Sequence, residues 1–329
     1  MTALAFDHTA RMSTLFLIVY CVLIVGASLA GGLVPLFTRA NHRAMQFILS
    51  GVAGVMLGVA LLHLIPHGYF EYREAGHGAA SIDLVMRWAL GGLLLMFLLE
   101  RFFCFHHHEV EGLEDGCGHE HAATPAEDRH RHDGPCDHNH RHAPTDASAH
   151  HHRLGWTGAA VGMTIHSLLE GVALAASVEA GLHHGGATTL AGFGTFLVIF
   201  LHKSFDSLTI GTLMAKGGHA PAVRHLVNGL FALIVPVGVL LFAFGLKSLP
   251  ASAHEVLGAA LALSAGTFIC IALSDVLPEL QFHQHDRVKL SAALLAGLAV
   301  AFVIGLFEGG AHGHLDVDVP GHEHHDHDH

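Results

Sequence analysis

The sequence predicts an all-α integral membrane protein with eight transmembrane helices. Mean hydropathy is +0.47 and 51% of the 329 residues are hydrophobic, whereas only 13% are charged. A soluble protein of this length carries about twice that share of charged residues. The apolar residues fall into separate runs of roughly 20 residues, which is the length that a helix needs to cross a bilayer.

Each predicted span is an apolar run between polar stretches. The first has no charged residue and is too long for the apolar core of a cleaved signal peptide. The second and seventh each stop beside a proline, and the third is the most polar, with Asp83 and Arg87 near its start. The eight predicted spans are Leu15–Phe37, Phe47–Ile65, Ile82–Phe105, Leu154–Ser177, Thr188–Met214, Leu226–Gly245, Val256–Leu277 and Leu290–Phe307.

Two histidine-rich segments divide the chain. Residues 106–153 hold 13 histidines among prolines, glycines and acids, and are too polar to pack a core. We expect this loop to be disordered without metal and to act as a cytosolic Zn²⁺ buffer or sensor. Residues 309–329 hold seven histidines and predict an extracytoplasmic metal collector. Residues 1–105 then contain spans one to three, and residues 154–308 contain spans four to eight.

The distribution of basic residues predicts the orientation. Eleven Lys and Arg residues follow the odd-numbered spans, against four on the other side. By the positive-inside rule, the loop 106–153 is cytosolic and both termini lie outside. The short loops favour a bacterial inner (plasma) membrane. The formal net charge of −12 gives no basic surface for nucleic acid, and the five scattered cysteines are no disulfide framework.

Two histidine–carboxylate pairs lie near the middle of spans four and five. His166 and Glu170 are four residues apart, as are His202 and Asp206, so each pair shares one helix face. The short connection makes the two helices antiparallel neighbours, which brings the pairs level. On a soluble helix this spacing is usually a solvated ion pair, but ionisable groups at mid-membrane are costly and generally functional. Two nitrogen and two oxygen ligands in an apolar interior suit Zn²⁺.

A weak internal repeat relates spans two and seven. Residues Gly54–Pro66 align without gaps on Gly266–Pro278, with four identities in thirteen positions. The two spans are five apart and cross the membrane in opposite directions. The sequence therefore predicts the inverted repeat that is typical of alternating-access transporters.

Polar residues near the repeated prolines have two interpretations. They are either helix-terminal groups capped by water or parts of a metal pathway. In the pathway interpretation, His63 lies on the outer route of the metal. The cytosolic route contains Asp275, Glu279, His283 and His285.

Two further function classes are alternatives to transport. An intramembrane zinc hydrolase also holds Zn²⁺ on histidines and carboxylates, but the sequence has no His-Glu-x-x-His motif. A metal-sensing membrane protein without flux is the second alternative. The sequence also lacks the phosphate-binding loop of an ATP-driven pump.

The motif His166-Ser-Leu-Leu-Glu-Gly171 resembles the fourth-helix signature of the ZIP (Zrt-, Irt-like protein) family of divalent-metal transporters. His202-Lys-Ser-Phe-Asp206 lies where that family places its fifth-helix ligands. The resemblance implies uptake of Zn²⁺ into the cytosol by movement of one helix bundle against another, with Fe²⁺, Mn²⁺ or Cd²⁺ as other substrates. It also implies a 3+2+3 helix arrangement, a homodimer and no enzymatic activity.

Two positions depart from the family members that hold two metals. Those members have Asn after the first histidine and an acid after the first fifth-helix ligand, where this chain has Ser167 and Lys203. We therefore predict a single-metal site. Because a buried ammonium needs a partner, Lys203 is expected to pair with Asp206 or Glu170 and to stand in for a second cation.

Overall fold

The computed structural model of the chain describes residues 3–37, 42–103, 147–184, 191–248, 253–282 and 287–308. Within these ranges the chain is helical apart from short turns, and no strand occurs. Eight segments are long and apolar enough to cross a membrane, which confirms the predicted fold class. The helices are α1 (Ala3–Phe37), α2 (His42–Val59), α3 (Ile65–Glu74), α4 (Ser81–Phe103), α5 (Ala147–His184), α6 (Phe193–Lys216), α7 (Pro221–Ala232), α8 (Ile234–Ser248), α9 (Ala253–Phe282) and α10 (Arg287–Glu308).

The second span is longer than the sequence predicts. Helix α2 continues through a π-helical turn at Ala60–Leu64 into α3, which ends at Glu74. Pro66 lies just after this π-helical turn and cannot donate a backbone hydrogen bond to it. The expectation that His63 marks a helix end is therefore wrong, because His63 lies within the π-helical turn of one continuous span.

Proline also determines the form of the sixth span. Helix α7 ends at Ala232 and α8 begins at Ile234, with Leu233 between them. Pro236 cannot donate a hydrogen bond to the carbonyl of Ala232, and its ring crowds that carbonyl. A single predicted helix is therefore two helices that meet in the middle of the span.

Two other predicted boundaries shift. Helix α5 begins at Ala147, so the last residues of the segment predicted as a loop are helical. Helix α9 passes its predicted end at Leu277 and reaches Phe282. The remainder of the histidine-rich loop and the tail 309–329 lie outside the described residues.

The helices pack in four close pairs: α2 with α10, α4 with α9, α1 with α6, and α5 with α8. Glycine allows the close approach of α2 and α10. A Cβ at Gly54 would collide with the carbonyl group of Leu294, and one at Gly297 with that of Gly51. Such small-residue contacts are typical of membrane helices. Large apolar side chains such as Leu226, Phe244 and Leu306 remain exposed on outer faces, where lipid would contact them.

The four helix pairs are related to one another by a pairwise exchange of spans. Consider an exchange of span one with span six, two with seven, three with eight, and four with five. This exchange converts the α1–α6 pair (spans one and five) into the α5–α8 pair (spans four and six). The same exchange converts α2–α10 into α4–α9. The α2–α9 and α5–α6 contacts convert into themselves. An inverted repeat would produce this set of contacts.

Candidate metal site

The two central helices, α5 and α6, bring the sequence-predicted residues together. The candidate ligands are His166 and Glu170 on α5 and His202 and Asp206 on α6, and each pair lies near the middle of its span. Each of the four side chains offers one ligand atom, and these atoms all lie within 4.8 Å of one another. We refer to the four residues as the cage.

One carboxylate oxygen is the centre of the cage. Oε1 of Glu170 lies 2.9 Å from Nε2 of His166 and also contacts Nε2 of His202. Nε2 of His166 is 4.0 Å from Oδ2 of Asp206. The side chain of Glu170 is completely buried, whereas 14% of the Asp206 side chain is exposed. Both histidines are therefore directed at one point, with Asp206 at the more open side.

A hydrogen bond on the side of the imidazole ring away from the cage fixes the orientation of His202. Its Nδ1 lies 2.6 Å from the carbonyl oxygen of Val198, one turn earlier on α6. With the proton on Nδ1 donated to this carbonyl, Nε2 is the nitrogen available to a metal, as is usual for metal-binding histidines. The ring also lies roughly perpendicular to that of Phe268 on α9, with the two centroids 6.4 Å apart. This arrangement holds the imidazole ring with Nε2 facing the cage.

The other side of the cage has unsatisfied polar atoms. Within the described structure, Oδ2 of Asp206 and Nδ1 of His166 are buried without a hydrogen bond. Buried polar atoms are nearly always hydrogen-bonded, so each exception needs an explanation. The ammonium group of Lys203 lies 3.5 Å from Oδ2 of Asp206, beyond the usual N–H···O range, so a cation bound in the cage would give this oxygen a closer partner.

Lys203 occupies the opposite side of Glu170. Its side chain is completely buried, and Nζ lies 2.9 Å from Oε2 of Glu170 and 3.5 Å from Oδ2 of Asp206. Nζ also donates a hydrogen bond to Oγ of Ser167, which in turn donates to the carbonyl of Met163. Both carboxylates that were predicted as partners of the lysine are therefore in contact with it.

Comparison with known proteins identifies the protein family of this chain. Residues 14–305 match the family model described as ZIP Zinc transporter. The chain belongs to the ZIP zinc transporter family. This membership confirms the resemblance that was predicted from the motifs on α5 and α6.

Several ZIP relatives are similar along most of this chain. Zinc transporter ZIP9-A of Xenopus laevis is 27% identical over 304 residues, which are 83% of this chain and 89% of the relative. Zinc transporter ZIP9 of Micropogonias undulatus is 26% identical over 330 residues, covering 87% and 92%. Zinc transporter ZIP4 of Rattus norvegicus is 24% identical over 321 residues, covering 82% of this chain and 44% of the relative. The chain thus spans less than half of the rat protein. All three are named as transporters and not as enzymes.

One residue of this ZIP site was missed by sequence reasoning. The ring of Phe231 on α7 lies 4.4 Å from Nζ of Lys203, which is cation–π distance. Phe231 is one of 20 phenylalanines, and its position in an apolar span gives no signal of this role. Only the packing of α7 against α6 brings the ring to the ammonium group.

Of the predicted pathway residues, His63 alone has a described side chain, and it lies away from the cage. His63 is buried, and its Nε2 donates to the carbonyl oxygen of Ala301 on α10 at 2.9 Å. It lies near Gly194, which is roughly 12 Å along α6 from His202 at 1.5 Å per residue. The other four candidates have no described side chains: Asp275 and Glu279 lie on α9, whereas His283 and His285 lie outside the described residues.

Proposed function

We propose that this ZIP protein carries Zn²⁺ across the membrane and into the cytosol through the cage. The ligands would be Nε2 of His166 and His202, Oε1 of Glu170 and an oxygen of Asp206. The observation that carries the proposal is the convergence of these atoms within 4.8 Å in the buried middle of two spans. Two imidazoles and two carboxylates form a donor set that Zn²⁺ accepts in tetrahedral geometry.

The charges of the cage favour one metal ion for each protomer. Glu170 and Asp206 contribute two negative charges, and the ammonium group of Lys203 contacts both. Oε2 of Glu170 is thereby occupied by the lysine, while Oε1 faces the two histidines. A second divalent ion bridging Glu170 would have to displace the lysine, so Ser167 and Lys203 tune the site to a single ion.

The donor set does not restrict the substrate to Zn²⁺ alone. Imidazole and carboxylate ligands also accept Fe²⁺, Mn²⁺ and Cd²⁺. The order of affinities among divalent metals depends more on the metal ion than on the particular site. The relatives are named zinc transporters, which supports Zn²⁺ as the principal substrate of this chain.

Alternating access and the direction of transport have separate support. The exchange among packed helix pairs supports an inverted repeat with a 3+2+3 arrangement, in which one bundle moves against another. The excess of basic residues after odd-numbered spans supports a cytosolic histidine-rich loop and external termini. We propose a homodimer in a plasma (bacterial inner) membrane, with the loop as a metal buffer.

A liposome assay tests the cage. Purified protein is reconstituted around a trapped zinc-sensitive dye, and the initial rate of Zn²⁺ appearance is measured. His166→Ala, Glu170→Ala, His202→Ala and Asp206→Ala should each lose most of the flux, because each removes a metal ligand. His225→Ala is the matched control, since His225 is exposed on α7, and it should retain the wild-type rate. Near-normal flux in a well-folded His202→Ala protein would refute the four-ligand cage.

A further inference from the structure

A second histidine–carboxylate cluster lies where the end of α3 meets the start of α9. None of its residues belongs to the cage. Glu71 and Glu74 on α3 and His254 on α9 each offer a ligand atom, and these atoms lie within 4.8 Å of one another. Glu71 and Glu74 are three residues apart and share one face of α3. His254 is the second residue of α9, so the cluster forms only where these two helices meet.

The distances within this cluster are close to those around one metal ion. Nδ1 of His254 lies 2.7 Å from Oε2 of Glu71 and 3.5 Å from Oε2 of Glu74. In a tetrahedral zinc site with bonds of about 2.1 Å, neighbouring ligand atoms are about 3.4 Å apart. Side-chain shifts of about 1 Å would therefore convert the ion pairs into a coordination sphere.

Burial and charge also fit a cation. The Glu71 side chain has no exposed area, whereas 48% of Glu74 and 35% of His254 are exposed. Burying a carboxylate is costly unless it is paired. The exposed side chains of Glu74 and His254 leave one side of the cluster open to solution. Two carboxylates and a neutral imidazole together carry the charge that balances a divalent ion.

We propose that Glu71, Glu74 and His254 bind a divalent transition-metal ion such as Zn²⁺, at a site distinct from the cage. Solvent reaches the open side, so water completes the coordination. Binding at this site does not depend on transport through the cage. Only its placement rests on the proposed topology, in which this end of α3 and α9 faces away from the cytosol, the side from which an importer takes its substrate.

Carbethoxylation of histidine tests the site in the purified full-length protein. The reagent needs a free imidazole lone pair, which a bound metal occupies. Rates are measured for each peptide by mass spectrometry, with and without Zn²⁺. His77 is a matched control, because it is 36% exposed and, within the described part of the chain, pairs with one carboxylate, Glu255, at 3.0 Å. At a free Zn²⁺ concentration ten times the Kd, the rate at His254 should fall about tenfold while His77 is unaffected.

Glu74→Gln supplies a variant of the site, because this half-exposed side chain can be changed without disturbing the buried Glu71. In this variant Zn²⁺ should no longer protect His254, and the rate without metal should remain measurable. Equal protection of His77 and His254, or full protection in Glu74→Gln, would overturn the proposal and indicate adventitious binding. Modification is read without any flux, so failure here is distinguishable from failure of the transport cage.

Discussion

Replacing Lys203 with methionine tests whether this residue acts as a built-in cation. Methionine keeps the unbranched apolar stem but removes the ammonium group that contacts Glu170 at 2.9 Å and Asp206 at 3.5 Å. The buried Glu170 and the partly exposed Asp206 then lose a common partner. Leaving a buried charge unpaired costs about 3–5 kcal/mol, so the metal-free variant should unfold at a lower temperature than the wild type.

The same change should strengthen metal binding. An ion bound at Oε1 of Glu170 would lie roughly 5 Å from Nζ, given zinc–oxygen bonds of about 2.1 Å. At an effective dielectric constant of about 20, a unit charge repels a divalent ion at this distance by about 7 kcal/mol. Most of this repulsion is offset, since the freed carboxylates attract protons and water. If only about 1.4 kcal/mol remains, Zn²⁺ binds about tenfold more tightly.

Calorimetry and the liposome assay together provide the measurement. Lys203→Met should bind Zn²⁺ more tightly, gain more thermal stability from added Zn²⁺ and turn over more slowly, because the ion leaves less readily. Lys203→Asp should raise the number of metal ions per protomer from one towards two. Lys216→Met, at the exposed end of α6, is the control and should match the wild type. Unchanged affinity and flux in Lys203→Met, or two ions in the wild-type cage, would refute this role for the lysine.

Two further predictions concern the loop and the helix packing. Deleting residues 109–146 leaves α5 intact and should preserve flux in liposomes, with altered metal loading in cells; complete loss of flux with folding intact would place the loop in the pathway. Gly171→Leu should strongly reduce flux and thermal stability, because even a Cβ there would collide with the carbonyl group of Val235 on α8. Gly229→Leu is its control, since a Cβ at Gly229 has open space. Equal behaviour of the two variants would exclude the proposed close contact.

Much of the fold follows from the sequence because its signals act along one helix. A run of about 20 apolar residues is sufficient to predict a span. The four-residue spacing of His166 and Glu170, and of His202 and Asp206, fixes each pair on one face without knowledge of any neighbour. The buried charge of Lys203 likewise identified its partners, because only Glu170 and Asp206 offered carboxylates near it.

The tertiary structure decided what depends on contacts between helices. Spacing cannot show that both cage histidines meet the same oxygen of Glu170, because this depends on the rotation of α5 against α6. It also cannot place Phe231 beside the ammonium group of Lys203. His254 and Glu71 are 183 residues apart, and neither lies in a motif. Only the packing of α3 against α9 brings them together, since periodicity along one helix carries no information about which face meets which neighbour.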